Sequence, residues 1–339
     1  MIVWWQVVGR LATIGMALPP KGAKAFRTGD FSVAHEQHLS GVSGRSSDGR
    51  ALAHHRAPSP DLAPWVARLF VTVADQPADH LLSCGLFNDT AFVRVLVRGD
   101  WIAETVHGPV VQSRGTLAFG PHRHRMPVSV RGAFATFGFA LRPGADAALG
   151  LPSMPLEANS VVLIESPEWN DWGDLETFDA HPPEHWLRLL EDRLRSLVES
   201  GNPPVPDLLA EAFDLAAFAD PSEPIGVFAA RHNVSERTVG RMARRSFGLL
   251  PKQVMRRARV LDMASQLLGF ADRDEAEEHA ARFYDQSHQI RDFRALTGMT
   301  PRELARNPQP ILTLGLEPRQ ARRLETLGRL ERGELPPWR

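Results

Sequence analysis

Residues Asn233–Gly248 read NVSERTVGRMARRSFG, a stretch that sets Arg237, Arg241, Arg244 and Arg245 among Val239, Met242 and Phe247. At 3.6 residues per turn, the apolar side chains gather on one side, and Arg237, Arg241 and Arg244 project from the other at i, i+4 and i+7. Ser235 stands where a hydroxyl can cap the first turn. Asn233 stands where the chain must turn sharply, and asparagine tolerates the left-handed backbone such a turn needs. Upstream, Phe228 and Ala229 with Val234 supply an apolar face for Val239 and Met242. A short helix bracing a second helix with an outward arginine row is the shape that enters a DNA major groove, where arginine reads guanine edges or grips phosphate. A solvated basic face on an ordinary bundle helix would show the same pattern.

A second passage, RFYDQSHQIRDFRALTGMTP (Arg282–Pro301), repeats the plan. Asp285 is placed as its cap, Gln286, Ser287, Gln289 and Arg291 outward, and Ile290 and Phe293 inward. Between the two runs PKQVMRRARVLDMASQLL (residues 251–268), a helical pattern spanning roughly 27 Å at 1.5 Å per residue. One turn of DNA is about 34 Å, so two helices on one stiff connector can meet two successive major-groove faces.

Pro221–Asn307 therefore resembles the double helix-turn-helix domain of the AraC/XylS family of bacterial transcription regulators. VSERTVGRMARRSFGLLPKQVMRRARV resembles the first unit with its connecting helix, and FYDQSHQIRDFRALTGMTPREL resembles the family's C-terminal signature. The resemblance implies sequence-specific binding of double-stranded DNA, and control of initiation by contact with RNA polymerase or by blocking it. By position it places Arg237, Gly240 and Arg241 against bases, with Thr238, Arg244 and Arg245 nearer phosphate. Gln286, Ser287 and Arg291 would do the same work in the second unit. Gln289 replaces a usual apolar residue, as a polar contact or simply exposed. Other departures are Ala243, where a large apolar residue is usual, Gly240, which offers a base no side chain, and Glu277, Glu278, His279 and Arg282 ahead of the second unit.

Charge follows the same division. Residues 61–220 hold 22 Asp and Glu against 11 Lys and Arg, whereas 221–308 hold 15 basic against 11 acidic, and 235–259 hold 8 basic to 1 acidic. One half suits a polyanion and the other does not. No phosphate loop, GxSxG elbow, HExxH or paired catalytic acids is present, so the chain reads as no enzyme and calls for no cofactor. The competing reading is a protein-interaction adaptor with a degenerate helical bundle and no specific DNA binding, favoured by the acidic patch at Glu275–Glu278.

The expected fold is α+β in two domains: an N-terminal β-rich, cupin-like barrel or sandwich of sensor type, and a C-terminal all-α double helix-turn-helix domain. Residues 1–60, ending in a Gly-, Ser- and Pro-rich run, read as a poorly ordered leader and linker. Residues 61–180 show short apolar runs cut by turns every 8 to 12 residues, with Val93, Val95 and Val97 alternating with Arg94, Leu96 and Arg98 as in half-buried strands. The segment 181–203 reads as a helical linker whose stripe of Leu187, Leu190, Leu194 and Leu197 is either a homodimer seam or a face docked on its own β domain, the seam slightly favoured. GNPPVP (201–206) marks a boundary between two cores, with the DNA-binding domain at 204–308. The extension 309–339 carries an amphipathic helix from about Pro318 to Glu331, expected to pack against the helical domain.

Smaller signals complete the reading. PHRHR (121–125) puts His122 and His124 two apart, as metal-binding cupins do, but no carboxylate follows, and a basic surface turn fits as well. Trp65, Trp101, Trp169, Trp172 and Trp186 line a pocket or fill a core. A small-molecule effector is open and unidentified. The lone Cys84 excludes disulfides and a thiolate zinc cluster and fits a reducing cytoplasm, and no stretch is long and apolar enough to cross a bilayer.

Overall fold

The structure, a computed structural model, describes residues 53–201, 203, 205, 207–270, 286–307, 309–332, 334 and 336–338. The leader to residue 52, the Asp285 cap, the Glu275–Glu278 patch, His279 and Arg282 lie outside the described residues.

Strands β1 (Ala53–Arg56), β2 (Val66–Ala74), β3 (Leu81–Leu86), β4 (Phe92–Thr105), β5 (Gly108–Gln112), β6 (Gly115–Phe119), β7 (Met126–Leu141) and β8 (Val161–Ile164) form one antiparallel sheet in the order β1-β2-β7-β4-β6-β8. The two long strands pair with each other and each serves two further neighbours: β7 pairs with β3 in its first half and β2 in its second, and β4 pairs with β6 and then β5. Irregular register at Leu96–Asp100 separates the halves of β4, and Gly99 there has φ +96°, a value glycine adopts without a Cβ penalty. Strand β1 falls inside the stretch expected to be linker. It is held because Arg56 bonds both Glu184 and Glu191 of the following helix, a pairing 128 residues or more away in sequence.

The sheet is buried on both faces, which the alternation in β4 did not announce. Val93, Val95, Val97, Phe137 and Phe139 face helix α1 (Pro183–Gly201) together with Trp169, Trp172 and Phe178. Leu187, Leu190 and Leu194 are fully buried in that cluster, so the stripe expected to favour a dimer seam is instead the face docked on its own sheet. Trp169 stacks on Phe139 and Trp186 on Phe178, with Trp172 edge-on to Phe137, and all three are buried in this core, Trp172 also bordering a surface cavity. On the opposite face lie Phe70, Phe92, Leu96, Trp101, Phe119 and Phe134.

After the prolines come α2 (Leu208–Ala219), α3 (Ile225–Arg231), α4 (Glu236–Phe247), α5 (Pro251–Leu267), α6 (Gln286–Thr297), α7 (Pro301–Arg306) and α8 (Pro310–Thr326). Phe213, Phe228, Val239, Met242, Ala243, Phe247 and Val254 form a separate small core, with Phe213 edge-on to Phe228 and Phe247. Ala243 is fully buried there.

The expected separation into two cores at residue 204 does not hold. Val260, Leu261 and Ala264 of α5, Phe293 of α6, Leu304 of α7 and Ile311, Leu312 and Leu316 of α8 belong to the same apolar cluster as the sheet's second face. The extension is the reason. Helix α8 begins at Pro310, eight residues before the expected start, keeps Pro318 inside it, and is buried along most of its length between sheet and helices. Its charged residues are partnered inward: Arg319 with Asp89 and Asp262, Arg322 with Asp214, and Glu325 with Arg68.

Candidate nucleic-acid interface

Local chemistry builds the first unit. After α3 the chain turns at Asn233, whose φ is +53°. The Ser235 hydroxyl accepts the Thr238 N–H at 3.1 Å and closes the first turn of α4, and Gly248, at φ +65°, ends the helix with its N–H on the Arg244 carbonyl. Val239, Met242, Ala243 and Phe247 fix the inner face, so Arg237, Arg241 and Arg244 must stand outward, and all three are exposed. Arg237 and Arg241 have no carboxylate partner among the described residues. Gly240, half-buried between them, leaves the exposed face of the helix low, and Arg244 reaches back to its carbonyl at 3.4 Å. Thr238 shares a hydrogen bond with Ser235 and so supports the cap.

The remaining arginines of the basic run serve the protein itself. Arg245 turns toward α2 and pairs with Asp207, which caps that helix. Arg256 pairs with Asp292 of α6 at 2.8 Å, and Arg259 donates to the Pro221 carbonyl at 2.7 Å. Arg257 is buried and donates to the carbonyls of His122 and Asp89 in the β domain. The positive charge counted over 235–259 therefore divides into an exposed row on α4, the exposed Lys252 and a set of arginines bonded to other parts of the protein.

In the second unit, Phe293 and Thr297 of α6 are buried and Arg291 and Arg294 exposed. Ile290 departs from its expected inward place and is 47% exposed, because Asp292 takes the inner position instead, drawn by Arg256 on α5. Gln289 is half-buried. Gln286 and Ser287 open the helix. Helix α5 packs on α4, α6 and α7, and its 17 residues make a rod of about 26 Å.

The PHRHR turn exposes Arg123 and His124 and buries its first histidine. His122 is buried, its Nδ1 accepts the Asn88 N–H at 2.9 Å, and its carbonyl receives Arg257. No group of metal-ligating side chains is found among the described residues. Burial, with Arg257 and His124 nearby, pulls the His122 pKa down to about 3. The unfolded side chain protonates near 6.5, so stability is full above that pH and falls on acidification from 6.5 toward 3, at about 1.4 kcal/mol per unit. Denaturant melts at pH 7 and pH 5 are expected to differ by roughly 2 kcal/mol from this residue. In His122→Asn, whose amide oxygen can take over the Asn88 bond, that difference should shrink; an unchanged one would assign the acid sensitivity elsewhere.

A family model described as a helix-turn-helix domain matches residues 228–307, from within α3 to the end of α7. No curated protein matches the chain significantly. Among solved structures, ToxT from Vibrio cholerae is 10% identical with a TM-score of 0.44, covering 70% of this chain and 97% of ToxT. ToxT with a bound unsaturated fatty acid gives 11% and 0.41, covering 70% and 94%. The AraC-like transcriptional activator CuxR gives 14% and 0.28, covering 62% and 86%. No helix among the described residues is long and apolar enough to cross a membrane.

Proposed function

We propose that this chain, whose residues 228–307 are a helix-turn-helix domain of the AraC type, is a sequence-specific transcription regulator that reads two successive major-groove segments of double-stranded DNA. The observation that carries the reading is the exposed row Arg237, Arg241 and Arg244 on a helix whose other face is locked in a core. Arg237 and Arg241, with Gly240 between them, face bases; Thr238 and Arg244 lie nearer phosphate, and Arg245 joins them when its exposed pair with Asp207 opens, at a cost of at most about 1 kcal/mol. Gln286, Ser287, Gln289 and Arg291 read the second segment from α6. Promoter-bound protein would then recruit RNA polymerase or block it, and the β domain would hold a small-molecule effector whose occupancy is passed to the helices through the shared core.

Selection of bound fragments from genomic DNA, followed by mobility shifts over a range of salt, tests this. Affinity should fall steeply with salt as phosphate contacts release counterions. Arg241→Ala is expected to cost about 1–3 kcal/mol at one base position and relax preference there, while Arg244→Ala weakens all sequences alike. Equal, sequence-blind losses for both would remove Arg241 from base reading. Absence of any selected sequence would favour the adaptor.

A further inference from the structure

On the inner face of the sheet, β4 carries an arginine in a place built for an apolar side chain. Arg94 is 3% exposed, between Phe92 and Leu96, which face the same way. Its guanidinium carbon lies 4.7 Å from the ring centre of Trp101, 5.5 Å from those of Phe70 and Phe92, and 5.9 Å from that of Phe119. Its Nε and one Nη have no hydrogen-bond partner. Ring faces attract a cation, but by less than removing a guanidinium from water costs. Consistent with that imbalance, burial alone pulls the Arg94 pKa down to about 9.

The side chain lines a cavity of about 40 Å³ between the sheet and α8. Three further arginines reach the same cavity, and each has its acid: Arg68 has Glu325, Arg319 has Asp89 and Asp262, and Arg322 has Asp214. Arg94 alone among these four lacks one. The other walls are mostly apolar, from Phe70, Leu86, Phe92, Ala140, Leu314 and Pro318, with Asn88, Asp89 and Thr90 along one side. One unpaired positive fork in a chamber whose other charges are already paired calls for one negative charge on a short apolar body.

We propose that this cavity binds a short aliphatic monocarboxylate, its two oxygens on the Arg94 guanidinium and its carbon chain against Phe92 and Leu314. A planar carboxylate matches the guanidinium fork and needs only one counter-charge. Phosphate or sulfate would bring a second charge beside the Asp89 carboxylate, which also lines the chamber. The volume sets the size, since a water needs about 10–15 Å³ of such space and the chamber therefore holds roughly three to four heavy atoms, the size of acetate. Because Leu314, Gly315, Pro318, Arg319 and Arg322 form one wall, the ligand rests on α8, and α8 also touches α5. The assignment of this ligand as the effector rests on the DNA-binding reading, whereas its binding does not.

The test uses the full-length protein and calorimetric and thermal-shift titrations with sodium acetate, propionate and butyrate at matched ionic strength. Propionamide, sodium chloride and sodium phosphate serve as controls. Saturable millimolar or tighter binding by a carboxylate but not by propionamide is expected. Arg94→Met should fold with equal or higher thermal stability in the absence of carboxylate, since it removes an unpaired buried charge, and should lose the carboxylate-dependent shift. Arg94→Lys should retain binding weakened roughly ten-fold, a point charge replacing the fork. No carboxylate binding by the wild type, equal binding of propionamide, phosphate binding in its place, or an undiminished shift in Arg94→Met would each overturn the proposal. Mobility shifts with and without propionate then read the coupling: carboxylate binding with no DNA binding at all would sink the regulator and leave this site standing.

Discussion

Arg319→Ala is expected to destabilise the chain by about 3–5 kcal/mol, because it strands two acids in the interior. The Arg319 side chain is almost fully buried, with Nε 2.7 Å from Asp89 and Nη1 2.6 Å from Asp262. It also lies over the Phe218 ring at 5.2 Å. One guanidinium thus joins the loop before β4, the connector α5 and the last turn of α2 to the terminal helix. Burial by itself would raise the Asp89 carboxyl, but Arg319, Arg257 and Arg322 outweigh it and hold that group below the usual carboxylate range. Without Arg319, Asp262 loses its paired guanidinium, and Asp89 keeps only the charges of Arg257 and Arg322. Urea unfolding of the wild type, Arg319→Ala, Asp262→Asn and the double variant measures the coupling, and Asp262→Asn should cost less in the Arg319→Ala background than alone. Losses that simply add, or a loss below about 1 kcal/mol for Arg319→Ala, would mean that α8 is not held in this way.

The same helix shows where sequence reading stops. The helix-turn-helix unit was legible because its determinants are local: a cap at Ser235, a left-handed asparagine at 233 and an apolar face at helical spacing all act within a few residues. The strand-rich texture of 61–180 and the change of period near 180 were legible for the same reason. Helix α8 was not, because Glu317, Arg319, Arg322, Arg323 and Glu325 read as a solvated amphipathic face until their partners are known. Those partners include Asp89, Asp214 and Arg68, more than a hundred residues away. The excess of acid over base in 61–220 was a faint signal, since two of those acids neutralise arginines of the tail. Arg94 was misplaced by an equivalent ambiguity: alternation assigns it a face, and only the cover over that face decides whether it meets water. The leucine stripe of α1 likewise required a cover without naming the chain that provides it.

The second large effect is expected where the helix-turn-helix unit meets the β domain, at Gly248. A Cβ added there would lie 2.3 Å from the carbonyl oxygen of Pro155, in the helical turn Met154–Glu157, while the backbone stands at φ +65°. Gly150 supplies the control, with φ +64° and nothing within 4 Å of its added Cβ. Both Gly→Ala changes carry the left-handed penalty of about 1–2 kcal/mol, so their difference isolates the collision. Pro155 is buried and its offending atom is backbone, which leaves no flexible side chain to move aside. Either the end of α4 shifts, dragging the Arg241 row with it, or the two parts separate, losing the bond from Arg123 to the Gly248 carbonyl. Gly248→Ala should therefore cost at least about 3 kcal/mol in denaturant unfolding against about 1 kcal/mol for Gly150→Ala, and should also weaken DNA binding, which Gly150→Ala should spare. Equal losses at the two glycines would mean that the close approach of α4 to Pro155 is absent in solution.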